Sequence, residues 1–145
     1  MKTYKIYTAG KMGGLPVDEQ MQWREELERL VRQKSDKSIV FVHPPDFFRY
    51  GEQFHKSENE ARIWDMTQIR ESDVVAVDLT TIADSIGTQQ ELGFIEAMNE
   101  FGYKHIYTIG IGVPNTDHPW VSLALTRQED DMEEAADYIV KYLLI

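Results

Sequence analysis

Short apolar segments alternate with longer amphipathic segments along the whole chain, and this alternation limits the folds that the chain can adopt. The apolar segments that predict strands lie at residues 4–8, 38–43, 73–79 and 105–109. Helical periodicity begins at residue 18 and returns over about 57–70, 88–101 and 130–143, while residues 120–126 fit either a short helix or an edge strand. Strands and helices that alternate in this way favour a doubly wound α/β domain, with helices on both faces of a parallel sheet.

Charge and composition exclude several classes of function. The chain has 15 Lys and Arg against 25 Asp and Glu, a formal net charge of −10, which disfavours binding to nucleic acid or to an anionic membrane surface. It has no cysteine, which excludes disulfides, thiolate nucleophiles and cysteine zinc sites, and its four histidines show no metal-ligand spacing. We therefore expect one cytoplasmic domain over residues 1–145 that uses no metal and no cofactor.

Two unusual loops mark the candidate site. A glycine-rich turn follows the first strand at residues 9–14, and a polar loop follows the third strand at residues 80–88. If the strand order is 2-1-3-4-5, these loops meet at the point where the winding of the sheet reverses, which is where ligands bind in open α/β sheets.

Glu91 is the first chemical candidate, and its spacing permits two interpretations. Thr88-x-x-Glu91 has the spacing of a capping box, in which the glutamate only satisfies the start of a helix. Alternatively, a carboxylate in the first helical turn, kept ionised by the helix dipole, is a suitable nucleophile toward an anomeric carbon.

Three motifs together resemble the nucleoside 2-deoxyribosyltransferase family and the related deoxynucleoside-monophosphate N-glycosidases. They are Lys-Ile-Tyr-Thr-Ala-Gly at residues 5–10, Trp-Asp-Met at 64–66 followed by Ser-Asp-Val-Val at 72–75, and Ser-Ile-Gly-Thr-Gln-Gln-Glu-Leu-Gly at 85–93. The last motif is the most specific, and the resemblance covers nearly the whole chain. It implies a flavodoxin-like fold, hence the strand order 2-1-3-4-5, and cleavage of the N-glycosidic bond of 2′-deoxynucleosides through a covalent deoxyribosyl-glutamate.

The resemblance also assigns roles to individual residues. Glu91 matches the nucleophile, Tyr7 matches a tyrosine that aims it, and Asp65 matches an aspartate that contacts the base and protonates it as it leaves. Without the resemblance, Asp65 would be read as an exposed helix carboxylate and Tyr7 as a core residue. The candidate substrate-binding residues are Gly10, Lys11, Met12, Asp46, Asp84, Ser85, Gly87, Thr88, Asn115 and His118.

The sequence departs from the family pattern at two of these positions. Asp84 stands seven residues before Glu91, whereas the family aspartate usually stands six residues before it. Ser85 is therefore an alternative for part of that aspartate's role in binding the base or the sugar. The family transferases borrow an asparagine from a neighbouring subunit, and here Asn115 and His118 are both candidates for that position. The two glycines, Gly10 and Gly87, fit places where the backbone approaches the sugar closely.

The function predicted is transfer of deoxyribose between bases. The expected ligands are a small deoxynucleoside or deoxynucleotide and a free nucleobase, and the protein is expected to be a homo-oligomer with a shared active site. A deoxynucleotide N-glycoside hydrolase and a non-catalytic nucleotide-binding domain are the alternatives. Oligomerisation is also suggested by the polar loop 110–119, for which the sequence shows no partner within its own subunit. Lys11, Arg49 and Lys56, with the amide groups of residues 85–88, are candidates for binding a 5′-phosphate.

Overall fold

A computed structural model describes residues 1–47, 55–102 and 104–145 of the chain. It contains a five-stranded, all-parallel sheet in the order β2-β1-β3-β4-β5, which confirms the doubly wound, flavodoxin-like prediction. The strands are β1 (Thr3–Ala9), β2 (Ser38–Val42), β3 (Val74–Asp78), β4 (Tyr107–Ile111) and β5 (Arg127–Glu129).

The helices cover both faces of this sheet. They are α1 (Val17–Lys34), α2 (Glu58–Arg70), α3 (Ile86–Glu100), α4 (Pro119–Ser122) and α5 (Met132–Tyr138), which continues as a π-helical turn over Ile139–Leu143. Short 3₁₀ turns follow β2 at Pro44–Phe47 and β3 at Ile82–Asp84. No helix among these described residues is long and apolar enough to cross a membrane.

Alternate residues of the central strands divide the core into two halves, because successive side chains of a strand point to opposite faces. Ile6 of β1 packs with the α1 and α5 side, whereas Tyr7 packs with Ile69 and Leu92 on the α2 and α3 side. β3 is almost fully buried on both faces, as its continuous apolar sequence predicts. The α2–α3 side is therefore the side on which Tyr7 meets the candidate nucleophile.

The predicted bounds of β4 and α3 were wrong, and the error in β4 has a packing reason. β4 runs over Tyr107–Ile111 rather than 105–109, so Gly110 lies inside the strand and not in the following loop. A Cβ at Gly110 would lie 2.6 Å from Leu79 Cδ1 and 2.8 Å from Leu125 Cδ1, which explains a glycine within a strand. α3 begins at Ile86, two residues before the predicted start at residue 88.

Candidate active site

The ends of β1 and β3 lie side by side, as the strand order requires. Ala9 pairs with Val77, which places Gly10 beside Asp78 at the point where the winding reverses. A Cβ at Gly10 would lie 2.9 Å from Trp23 Cζ2 and 3.3 Å from Asp78 Cβ. The protein's own side chains therefore account for the glycine at position 10, independently of any ligand.

The structure brings Tyr7, Asp65 and Glu91 together from three different elements. Tyr7 is 1% exposed on β1, and its hydroxyl interacts with the Glu91 carboxyl group of α3. Asp65 of α2 and Glu91 line one cleft of about 310 Å³, together with Gly87. Asp65 therefore faces Glu91 across the cleft and is not an exposed helix carboxylate, and Tyr7 lies behind the pair.

Burial raises the pKa of both carboxyl groups. The pKa of Glu91 rises to about 8, first through loss of solvent and then through repulsion by Asp65, while Tyr7 and Arg24 act in the opposite direction. The pKa of Asp65 rises to about 6, again through burial. Because the two groups are coupled, the pair binds one proton between about pH 6 and about pH 8.

The prediction that the helix dipole keeps Glu91 ionised was wrong for the free protein. Glu91 is the sixth residue of α3 and thus lies in its second turn, whereas the dipole acts within the first turn. The residue as a whole is partly exposed, but its Oε2 atom is buried without a hydrogen-bond partner among the described residues. Desolvation of that oxygen outweighs the dipole.

The capping-box interpretation of Glu91 was also wrong. Because α3 begins at Ile86, Thr88 lies within the helix, and its hydroxyl bonds the Ser85 hydroxyl at 2.7 Å. Both hydroxyl groups are buried, and Ser85 makes no side-chain cap. Glu91 is therefore a buried carboxyl group with no capping role in this helix.

Asn115 and Asp84 form a bridge within the subunit. Asn115 Nδ2 donates to Asp84 Oδ2 at 3.1 Å, and Asn115 Oδ1 accepts from the Ala83 amide at 2.8 Å. The backbone amide of Asn115 also donates to the Leu79 carbonyl at 3.4 Å. The loop after β4 thus has partners within its own chain, which overturns that argument for oligomerisation.

The other predicted residues occupy three places. Lys11 and Met12 lie in the turn after β1, where the Met12 carbonyl accepts from Gln20 Nε2 at 2.8 Å. Asp46 is exposed in the 3₁₀ turn after β2. His118 caps α4, with Nδ1 accepting from the Trp120 amide at 3.2 Å, and lines a separate groove rather than the cleft that contains Glu91.

Part of the predicted aromatic loop also borders the site. Phe47 and Trp64 meet edge to face at 4.3 Å between ring centroids, and the His55 ring is tilted against Trp64 at 5.8 Å. Arg49 and the rest of residues 48–54 lie outside the described residues.

Arg24 is the residue near the site that sequence reasoning missed. It is completely buried, and its positive charge acts on both Glu91 and Asp65. A signal was present in the sequence, because Arg24 shares a helical stripe with the buried residues Gln20 and Leu27. A charge at a core position of an amphipathic helix is unusual enough to deserve a functional hypothesis.

The fold is similar to those of three solved structures. A conserved protein from Enterococcus faecalis V583 gives a TM-score of 0.74 at 14% identity, over 95% of this chain and 98% of that one. A 2-deoxyribosyltransferase from Bacillus psychrosaccharolyticus gives 0.66 at 18% identity, over 92% and 91% of the two chains. The chain has the fold of the 2-deoxyribosyltransferases. A third structure, a 2-deoxyribosyltransferase from Leishmania mexicana, gives 0.59 at 18% identity, over 96% and 98%. No family model and no curated protein sequence matches the chain.

Proposed function

We propose that the protein cleaves the N-glycosidic bond of a 2′-deoxynucleoside, or of its 5′-monophosphate, and transfers the sugar to another base. The observation that carries this proposal is the meeting of Glu91, Asp65 and Tyr7 at one cleft. Two carboxyl groups that share one proton suit a reaction that needs a nucleophile and a proton donor at the same time. The likeness in fold to two 2-deoxyribosyltransferases supports the same assignment.

In the first proposed step, the proton that the pair shares passes from Glu91 to Asp65, and the Glu91 carboxylate attacks C1′ of the sugar. The bond between C1′ and the base nitrogen breaks, and its electron pair goes to the base, which takes a proton from Asp65. An ester between C1′ and Glu91 results. Because the sugar has no 2′-hydroxyl, an oxocarbenium-like transition state forms more easily, and a positioned carboxylate with a proton donor suffices.

In the second proposed step, the acceptor base attacks C1′ and the Glu91 carboxylate leaves. The acceptor gives its proton to Asp65, which restores the pair to its starting state. Tyr7 orients the carboxyl group of Glu91 in both steps, since its hydroxyl interacts with that group from behind the cleft.

Hydrolysis is the second candidate, and the exposure of the cleft favours it in an isolated chain. Glu58, Arg62 and Gln90 line the cleft and are exposed, so water can reach the ester when no base occupies the site. Incubation with deoxyinosine or thymidine, with and without adenine, separates the two reactions. A new deoxynucleoside indicates transfer, free deoxyribose indicates hydrolysis, and no product from any base or phosphate form contradicts both.

We also propose a homo-oligomer, on evidence other than the loop after β4. Trp120 is 82% exposed and Leu123 is 78% exposed, and both lie at α4 beside a groove of about 330 Å³ along α3. Large apolar side chains exposed together favour contact with another protein surface, here a second copy. Light scattering is expected to show a dimer or larger for the wild type and a monomer for Trp120→Ser. A fully active wild-type monomer would contradict a shared site.

The preference for a 5′-phosphate is a separate proposal. Lys11 follows the end of β1, and Lys56 precedes α2, whose first residue Glu58 lines the cleft. A charge-assisted phosphate contact is typically worth about 1.5–3 kcal/mol, so kcat/KM should rise about tenfold to a hundredfold at low salt. Lys11→Ala should weaken only the monophosphate reaction, and equal kcat/KM for both substrates would contradict the proposal.

A further inference from the structure

Arg24 lies in the protein interior beside the end of β1, with none of its surface exposed. Its guanidinium group donates from Nε to Thr8 Oγ1 at 3.1 Å, from Nη2 to the Gly10 carbonyl at 3.2 Å, and from Nη1 to the Gln20 carbonyl at 2.5 Å. All three acceptors are uncharged. Among the residues that the structure describes, Arg24 forms no ion pair with a carboxylate.

A buried cation without an ion-pair partner destabilises the folded state, so the charged groups that interact with it over longer distances affect that state's stability. After burial, the largest electrostatic effects on Arg24 come from Tyr7 and Glu91, followed by Asp78 and Asp46. Burial lowers the pKa of Arg24 to about 10, which still leaves it positively charged at neutral pH. The positive charge of Arg24 also lowers the pKa of Asp65, against the effect of burial, which raises it. Both carboxyl groups of the cleft therefore depend on this one interior charge.

We propose that Arg24 is a positioning residue of the active site, whose buried charge keeps one carboxyl group of the Glu91–Asp65 pair ionised. Its bond to the Gly10 carbonyl also fixes the turn after β1 beside the cleft. The catalytic part of this inference rests on the proposed glycosidic function, whereas the electrostatic part concerns the folded protein alone. An arginine suits the position, because it remains charged when buried and its planar fork binds several carbonyl groups at once.

The other charged groups around the pair do not replace Arg24. Tyr7 faces Glu91 from β1, and Asp65 faces it from α2. Glu58 and Arg62 lie at the exposed mouth of the same cleft, where solvent and salt weaken their effect. His55 acts on Asp65, and Arg24 repels the protonated form of His43. Among the described residues, Arg24 is thus the buried cation common to both carboxyl groups.

The test measures the titration of Glu91 without any substrate. The carboxyl carbon of Glu91 is followed by ¹³C NMR against pH and assigned from its absence in Glu91→Gln. Arg24→Gln removes the charge and keeps a donor for the Gly10 carbonyl. Arg24→Lys restores the charge. The matched control is Arg29→Gln, which removes an exposed arginine of the same helix, paired with Glu26 at 2.6 Å.

Arg24→Gln is expected to raise the midpoint of the Glu91 titration by about one pH unit, since an opposite charge close to a carboxyl group shifts it by about that much or more. Arg24→Lys should restore most of the shift, and Arg29→Gln should cause none. The pH profile of kcat/KM should move in the same direction, with its alkaline limb about one pH unit higher than in the wild type. A role in folding alone would lower stability and leave the midpoint where it is in the wild type, and that result would overturn the inference.

Two outcomes separate this inference from the proposed function. A shifted midpoint in a protein that cleaves no deoxynucleoside contradicts the function and leaves the electrostatic role standing, whereas an unshifted midpoint in an active enzyme contradicts the role of Arg24. If Arg24→Gln does not fold, the double variant with Glu91→Gln is examined. Folding of the double variant supports the inference, because the carboxyl group that needs the charge is gone, and failure to fold overturns it.

Discussion

Replacement of Glu91 by glutamine should abolish turnover and also make the protein more stable at alkaline pH. Burial raises the pKa of Glu91 from 4.5 to about 8, so the folded state disfavours the ionised form. The unfolded chain ionises above pH 4.5, which means that the cost to the folded state grows from there and levels off near pH 8. Glutamine has the same shape and carries no charge, so it removes this cost together with the nucleophile.

The size of the effect follows from the pKa shift. At about 1.36 kcal/mol for each pKa unit, the full shift corresponds to about 4–5 kcal/mol above pH 8. Glu91 is partly exposed, and glutamine leaves a polar amide in the same place, so we expect a gain of about 2–3 kcal/mol in the free energy of unfolding at pH 8. That gain corresponds to a rise in Tm of about 6–9 °C for a domain of this size. At pH 5 the gain in the free energy of unfolding should fall below about 1 kcal/mol.

The assay is thermal unfolding followed by circular dichroism at pH 5 and pH 8, together with the deoxynucleoside assay. Glu96→Gln is the matched control, because Glu96 is an exposed residue of the same helix. Its stability relative to the wild type should change little between the two pH values. A Glu91→Gln protein that is destabilised equally at both pH values would refute the claim that this carboxyl group is buried at a cost.

Two further predictions follow from the geometry of the site. The pH profile of kcat/KM should be bell-shaped with limbs near pH 6 and pH 8, because only the singly protonated Asp65–Glu91 pair has both a nucleophile and a proton donor. A profile that is flat from pH 5 to 9 would contradict this. In chemical denaturation, Gly10→Ala should lower the free energy of unfolding by about 1–3 kcal/mol, since its Cβ would lie 2.9 Å from Trp23 Cζ2. Gly13→Ala is the control, because Gly13 has open space around it, and it should change the free energy of unfolding by less than about 0.5 kcal/mol.

The sequence predicts the sheet well, because its central strands are nearly continuous apolar runs. The errors lie where packing overrides local pattern. Gly110 marked a loop by its residue type, yet it is in a strand because Leu79 and Leu125 leave no room for a Cβ. β5 has the polar sequence Arg-Gln-Glu and no strand signal, so only its pairing with β4 reveals it.

The candidate site was predictable in its members but not in its electrostatics. Resemblance to a family supplied Tyr7, Asp65 and Glu91, and the structure brings them to one cleft. The protonation state of Glu91 depends on how much solvent its Oε2 loses, which spacing along the chain does not report. The hydrogen bond between Asn115 and Asp84 was not predictable from the sequence either, since Asp84 lies 31 residues away and only the fold brings the two together.

The central claim is that Glu91 forms a covalent bond to the sugar, and mass spectrometry of the intact protein tests it most directly. The enzyme is mixed with a deoxynucleoside without an acceptor base and quenched in acid during turnover. We expect an added mass of one deoxyribosyl group, located at residue 91 by peptide mapping and absent from Glu91→Gln. Turnover by a folded Glu91→Gln protein, or an adduct mapped to another residue, would contradict the claim.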